Sequence, residues 1–288
     1  MQVILPLALF LIMFGIGLSL TTQDFARLTK QPKAVLAGVL LQLLGLPLLC
    51  LLVVTVFQLS AEISVALLVL SFAPGGATSN MISYLSKADT ALSVSLTALT
   101  SFITPFTLPF YSVLAASTLL GISHSMEYPL VSTIIKLLVV SVFPVLLGMW
   151  ALRKVPTVAK RLQRFVKMAS LAFMIFVVVG IVMQNSDKLA GLTLDIGPIV
   201  ILLASLAMLL GWYAAKALKL SDEQGITLAI ETGIQNAGMA LLITEGLLQN
   251  SFMSGVVLLY GVLMQIPAII IILYRNRRDW FGRQSIVR

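Results

Sequence analysis

Apolar residues run along this chain in long unbroken blocks. From residue 3 it reads VILPLALFLIMFGIGLSL, and blocks of similar character recur at about 34–56, 63–83, 89–117, 128–151, 166–185, 194–217, 222–248 and 250–274. A bilayer's hydrocarbon core takes about 20 apolar residues per helix. The pattern therefore predicts an all-α integral membrane protein of about nine transmembrane helices, with residues 1–288 forming a single transmembrane domain. The connections are short, among them FQLSAE, SKAD, KLSDE and LLQN, and none has the composition of a flexible linker. The first block has no basic leader and no small-residue cleavage site after it, so it reads as a retained span rather than a signal peptide.

Composition narrows this further. The chain is 59% hydrophobic and 10% charged, with a mean hydropathy of +1.04, too little charge to clothe a soluble domain. Its net charge of +8 is sorted by side. On the predicted topology, 17 of the 19 basic residues fall on one face, from Arg27, Lys30 and Lys33 to the C-terminal arginines. The positive-inside rule puts that face in the cytoplasm. The C-terminus, with 276–288 as a tail, is then cytoplasmic, and the N-terminus lies outside a cell inner (plasma) membrane. The basic runs read as orientation and headgroup contact, because no nucleic-acid motif accompanies them. Lys136 falls inside the fifth span, where a long side chain can snorkel. The single cysteine, Cys50, can form no intramolecular disulfide.

Two spans are interrupted. The third carries Pro74, Gly75 and Gly76 at its centre, and the eighth carries Gly233. Proline removes a helix donor, and glycine leaves the helical conformation cheaply. Non-helical backbone at membrane depth is tolerated only inside protein or beside a water-filled cavity. Paired breaks in two halves of a chain point to a transporter's site. Span 3 is third of spans 1–4 (about 1–120), and span 8 is fourth of spans 5–9 (about 125–275). If the first half lacks one leading helix, the breaks correspond, and the halves are inverted repeats. Small-residue helix packing explains one glycine pair but not two breaks that are both flanked by polar amides.

Of the eleven acids, only Glu231 lies near mid-span. A carboxylate there is costly and normally faces a partner or a cavity. Ser79, Asn80, Gln235, Asn236 and Gln42 sit at similar depth, and Ser93 and Thr97 share one helix face. Oxygen ligands without thiolates or imidazoles suit a hard cation, and one carboxylate among neutral oxygens suits a monovalent one. Half-helix N-termini at Ser79 and Asn236 would offer N–H groups to an anion.

Residues 73–80, APGGATSN, and 231–236, ETGIQN, resemble the two crossover signatures of the bile acid:sodium symporter family. FGIGLSL and FQLSAEISVALLV look similar too, so the resemblance covers nearly the whole chain. It implies inverted repeats with two discontinuous crossing helices, panel and core domains, and a nine-span form lacking the first helix. It also implies two sodium sites. One would use Ser79, Asn80, Ser93, Thr97 and Glu231. The other would use Gln42, Glu231 and Gln235 with backbone oxygens of Thr232 and Ile234. The substrate would meet Asn236, Thr78 and Ala77, where Ala77 replaces a hydroxyl found in some members. The function implied is sodium-coupled symport of small organic anions, bile-acid-like or carboxylates such as pantoate or pyruvate, by alternating access. Sodium is the coupling ion, and no cofactor or nucleic-acid partner is expected. An intramembrane enzyme is disfavoured: His124 falls in an external loop and Cys50 lacks a base. A proton-coupled or auxin-carrier-like efflux protein would use Glu231 as its proton site.

Overall fold

The computed structural model describes residues 4–121, 129–159, 161–162, 165, 168 and 186–282. The sixth expected span (166–185, apart from Met168) and His124 lie outside them. The described residues are helical almost throughout: α1 (Ile4–Gly17), α2 (Thr22–Leu28), α3 (Pro32–Val56), α4 (Ala61–Ser71), α5 (Ala77–Leu85), α6 (Thr90–Leu120), α7 (Leu130–Lys154), α8 (Ser186–Ala217), α9 (Asp222–Gly233), α10 (Ala237–Leu247), α11 (Ser251–Leu263) and α12 (Gln265–Gly282). Among the described residues five helices are long and apolar enough to cross a membrane: α3, α6, α7, α8 from Gly191, and the near-continuous α11–α12 over Ser251–Arg277.

The expected third and eighth spans are each two shorter helices. α4 stops at Ser71, and the chain passes through a turn at Phe72 and Ala73 to extended backbone at Gly76 before α5 begins. α9 stops at Gly233, and Ile234 to Asn236 bridge to α10. The two breaks meet. Gly75 and Gln235 form an isolated antiparallel bridge, with Gly76 N–H donating to Ile234 O at 3.1 Å and Asn236 N–H to Pro74 O at 2.8 Å. Each break thus satisfies backbone groups that apolar surroundings would leave unpaired. Only glycine fits at the crossing. A Cβ on Gly75 would lie 2.5 Å from Glu231 Oε2, and one on Gly76 would lie 2.9 Å from Gln235 O.

Gly233 ends α9 at the expected break and also serves packing. It is still helical, and a Cβ there would collide with Met208 Cγ and lie 3.1 Å from Ala204 O. Its missing side chain lets α9 press against α8, as small residues do at membrane helix seams. The chain leaves the helix one residue later.

The ends of the broken helices are built alike. Ser60 caps α4 and Ser221 caps α9, the latter in a reciprocal capping box with Gln224. Among the described residues four non-glycine ones take positive φ: Gln58 and Lys219 before the first half-helices, Lys87 and Gln249 after the second. They close helix C-termini, as where Leu59 N–H reaches Val54 O at 3.0 Å and Leu220 N–H reaches Ala215 O at 3.0 Å. The sequences Gln58-Leu59-Ser60-Ala61-Glu62 and Lys219-Leu220-Ser221-Asp222-Glu223 therefore occupy equivalent turns.

The loop acids tie these ends together. Asp89 N–H donates to Glu223 O at 3.3 Å and Thr227 Oγ1 to Asp89 O at 3.0 Å. Arg275 and Asn276 of α12 donate to the carbonyls of Ser86 and Leu85 at the end of α5. Lys216 pairs with Asp222 at 2.7 Å. Lys87, Lys216, Lys219 and Arg275 are thus gathered at one end of the bundle. At the other end Asn250 donates to Glu62 at 3.0 Å. Away from the crossing, α1 and α7 meet backbone to backbone: a Cβ on Gly148 would lie 2.6 Å from Phe14 O and 2.8 Å from Gly17 C.

A candidate cation site at the helix crossing

Glu231 reaches the crossing from the last turn of α9 and is fully buried. Its carboxylate is held by hydroxyls from two other helices. Oε1 accepts from Ser79 Oγ of α5 at 2.6 Å and Ser93 Oγ of α6 at 2.5 Å; Oε2 accepts from Thr97 Oγ1 of α6 at 2.9 Å. Gln42 Nε2 of α3 lies 3.3 Å from Oε2 and 2.9 Å from the Glu231 carbonyl. Each bond falls on a group whose burial as a charge is otherwise costly.

Gln42 gets there through a wide turn. Residues Leu41–Gly45 of α3 form a π-helical turn. Pro47 has no N–H for the Leu43 carbonyl, so the ladder cannot run on as a regular α-helix. α7 does the same over Leu138–Val142 ahead of Pro144.

Three hydroxyl protons serve more acceptors than they can satisfy. Ser79 Oγ is also 2.7 Å from Gly76 O, Ser93 Oγ is 2.9 Å from Asn80 Oδ1, and Thr97 Oγ1 is 3.5 Å from the same Asn80 atom. A hydroxyl has one proton to give. Ser79, Ser93 and Thr97 thus share three protons among four acceptors: both carboxylate oxygens, the Asn80 amide oxygen and the Gly76 carbonyl. Two further oxygens, Gln42 Oε1 and Gln235 Oε1, are buried with no hydrogen-bond partner. The surplus of lone pairs around a single carboxylate is what a small hard cation requires. Gln235 Nε2 donates to Thr232 O at 2.8 Å and Glu231 O at 3.2 Å. Among the described residues no cluster of three or more His, Cys, Asp or Glu exists, so the donor chemistry is that of neutral oxygens and one carboxylate.

The matching family description is "Sodium Bile acid symporter family", over residues 6–192, more than half of the chain. This chain belongs to that family. The transporter is 31% identical over 229 residues to the "Uncharacterized sodium-dependent transporter YocS" of Bacillus subtilis, covering 80% of this chain and 70% of the relative. It is 29% identical to the human "P3 protein" (85% of this chain, 51% of the relative) and 26% identical to rice "Probable sodium/metabolite cotransporter BASS2, chloroplastic" (81% and 54%). It spans about half the length of the last two. Membership makes it a multi-pass membrane protein and a sodium-dependent transporter, not an enzyme.

The expected anion contacts are less enclosed. Thr78 is exposed, and the Ala77 side chain lies outside the described ones. Asn236 caps α10 by accepting from Met239 N–H at 3.1 Å, and its Nδ2 is buried without a partner. The N–H groups expected to be free at Ser79 and Asn236 are already used, by Gly76 O at 3.0 Å and Pro74 O at 2.8 Å. α5 in fact begins at Ala77, two residues earlier, and the crossing itself consumes the Asn236 amide. Sequence reasoning also missed Tyr260 of α11, fully buried, whose hydroxyl donates to Gly233 O at 3.3 Å. A tyrosine midway along an apolar span was the available signal. Lys136 is exposed on α7, between exposed Ile135 and Val139 and away from this cluster.

Proposed function

We propose that the transporter is a symporter that carries small organic anions with two sodium ions across the plasma membrane by alternating access. The observation that carries the reading is the buried Glu231 carboxylate at the crossing, ringed by more oxygen lone pairs than protons. One sodium would be held by Ser79, Asn80, Ser93, Thr97 and Glu231. The other would be held by Gln42, Glu231 and Gln235 with the carbonyls of Thr232 and Ile234. The substrate carboxylate would meet Asn236 Nδ2 and Thr78 at the starts of the second half-helices. Nine spans, with inverted repeats over about 1–120 and 125–275, a panel and a core, and a cytoplasmic C-terminus, complete the proposal. Support for the repeats comes from the equivalent turns at Gln58 and Lys219. The gathering of basic residues at one end supports the orientation.

Charge counting gives the coupling. Glu231 carries one negative charge, and the first sodium cancels it. A second sodium alone would leave an uncompensated charge in low dielectric. An anion restores neutrality, so each ligand favours the other's binding. Glu231 stays with the protein, so one net positive charge moves inward, and a membrane potential contributes about 2.3 kcal/mol per 100 mV.

The test is a thermal-shift screen of organic carboxylates, bile salts included, against purified protein in sodium or in potassium. A true substrate should stabilise the protein in sodium only, and Glu231→Gln should abolish the difference. Stabilisation indifferent to sodium but dependent on proton concentration would favour a proton-coupled carrier instead.

A further inference from the structure

We infer that Gln42 is a two-state ligand: in the ion-free carrier its amide NH2 stands in for the missing cation at Glu231, and it turns over to present its oxygen when sodium arrives. The inference rests on the sodium site proposed above and assigns Gln42 a second task there. The Gln42 side-chain atom at the crossing sits 2.9 Å from the Glu231 carbonyl and 3.3 Å from Oε2. Both are acceptors only, so hydrogen bonding requires the nitrogen at that place. Its other terminal atom, Oε1, is left without a partner in a residue that is 1% exposed. A buried amide oxygen with no donor in the fold calls for a partner from outside it, and a cation at the crossing is one. Gln235 repeats the arrangement, with Nε2 on main-chain oxygens and Oε1 orphaned.

A half-turn about the last side-chain torsion exchanges the two terminal atoms, and that torsion is broad and roughly two-fold. The same residue can then satisfy the carboxylate when sodium is absent and coordinate sodium when it is present. Glutamate at this place would supply oxygen but no donor, and methionine neither. The device matters for the return of the empty carrier, when Glu231 must cross between conformations without its cation.

The experiment compares two transport modes in proteoliposomes at alkaline pH, with radiolabelled pantoate and taurocholate as probes. Net uptake requires the ion-free return; exchange with saturating sodium and probe on both sides does not. Gln42→Glu alters a sodium ligand and so lowers both modes, but net uptake should fall at least about tenfold further than exchange, because two adjacent carboxylates repel in the empty state. Equal loss of both modes, or loss of neither, would overturn the inference. Should Gln42→Glu fail to fold, the wild type decides. The glutamine NH2 resonance that Gln42→Met removes should shift and exchange faster with deuterium on adding sodium but not potassium; an unchanged resonance overturns the inference. Wild-type uptake and exchange that ignore sodium altogether would instead remove the site reading beneath it.

Discussion

Gly75→Ala is the sharpest perturbation of the site, because it adds one carbon and changes no ligand. The new Cβ would lie 2.5 Å from Glu231 Oε2, 3.0 Å from Gln42 Nε2 and 3.3 Å from Thr97 Oγ1. Ordinary contact begins near 3.4 Å, so Oε2 must retreat by roughly 0.9 Å. Metal coordination tolerates about 0.2 Å, so the carboxylate cannot stay in place for a cation. Overpacking of this kind costs about 1–3 kcal/mol, and spent on the site that is about 5–150-fold in affinity. The assay is a sodium titration of thermal stability in detergent, with potassium keeping the ionic strength constant. Gly246→Ala is the control, since nothing lies within 4 Å of its added carbon. The sodium midpoint should rise about tenfold or more for Gly75→Ala and stay put for Gly246→Ala. A folded Gly75→Ala protein with the wild-type midpoint would refute the placement of the cation beside Glu231.

Asn236→Asp keeps an N-cap for α10 but removes the unpartnered Nδ2 donor and adds a negative charge. It should fold and still be stabilised by sodium alone, while the extra stabilisation by an organic anion disappears in the same titration. Tyr260→Phe removes the hydroxyl that donates to Gly233 O and should lower stability by about 1 kcal/mol, read as a shift in the unfolding midpoint. Lys136→Gln should leave uptake kinetics within about twofold of the wild type, because Lys136 lies on an exposed apolar face of α7; a loss of uptake with normal sodium stabilisation would assign it a role with the anion.

The membrane class was legible because block hydrophobicity survives any detail of packing. Glu231 stood out because a lone acid at mid-span is expensive, and Pro74-Gly75-Gly76 because no regular helix runs through them. Gln42 was visible as a single amide in an apolar block. Its wide turn was less so, although Pro47 five residues on frees the Leu43 carbonyl that makes such a turn necessary. Gly233 showed where the break falls but not that its missing side chain also makes room for Met208, since a glycine that permits close packing and one that permits a bend look alike in sequence. The supposed free amide at Asn236 could not have been judged from one chain segment, because its partner, Pro74 O, lies in the other break; the one at Ser79 is taken by Gly76 O of its own segment, because α5 begins two residues earlier than expected. The likeness of the turns at Gln58 and Lys219 was hidden for a related reason. It resides in positive φ and in Ser60 and Ser221 as caps, while the apolar residues between the caps diverge freely.

The central claim is that Glu231 couples two sodium ions to one anion. It is tested most directly by uptake into proteoliposomes of an anion that stabilises the protein in sodium, with the sodium-to-anion ratio counted and a potassium diffusion potential imposed. The account predicts two sodium ions per monovalent anion, uptake accelerated by an inside-negative potential, and loss of both sodium dependences together in Glu231→Gln. One sodium per anion, uptake indifferent to the potential, or a Glu231→Gln protein that keeps one sodium-dependent step would contradict it.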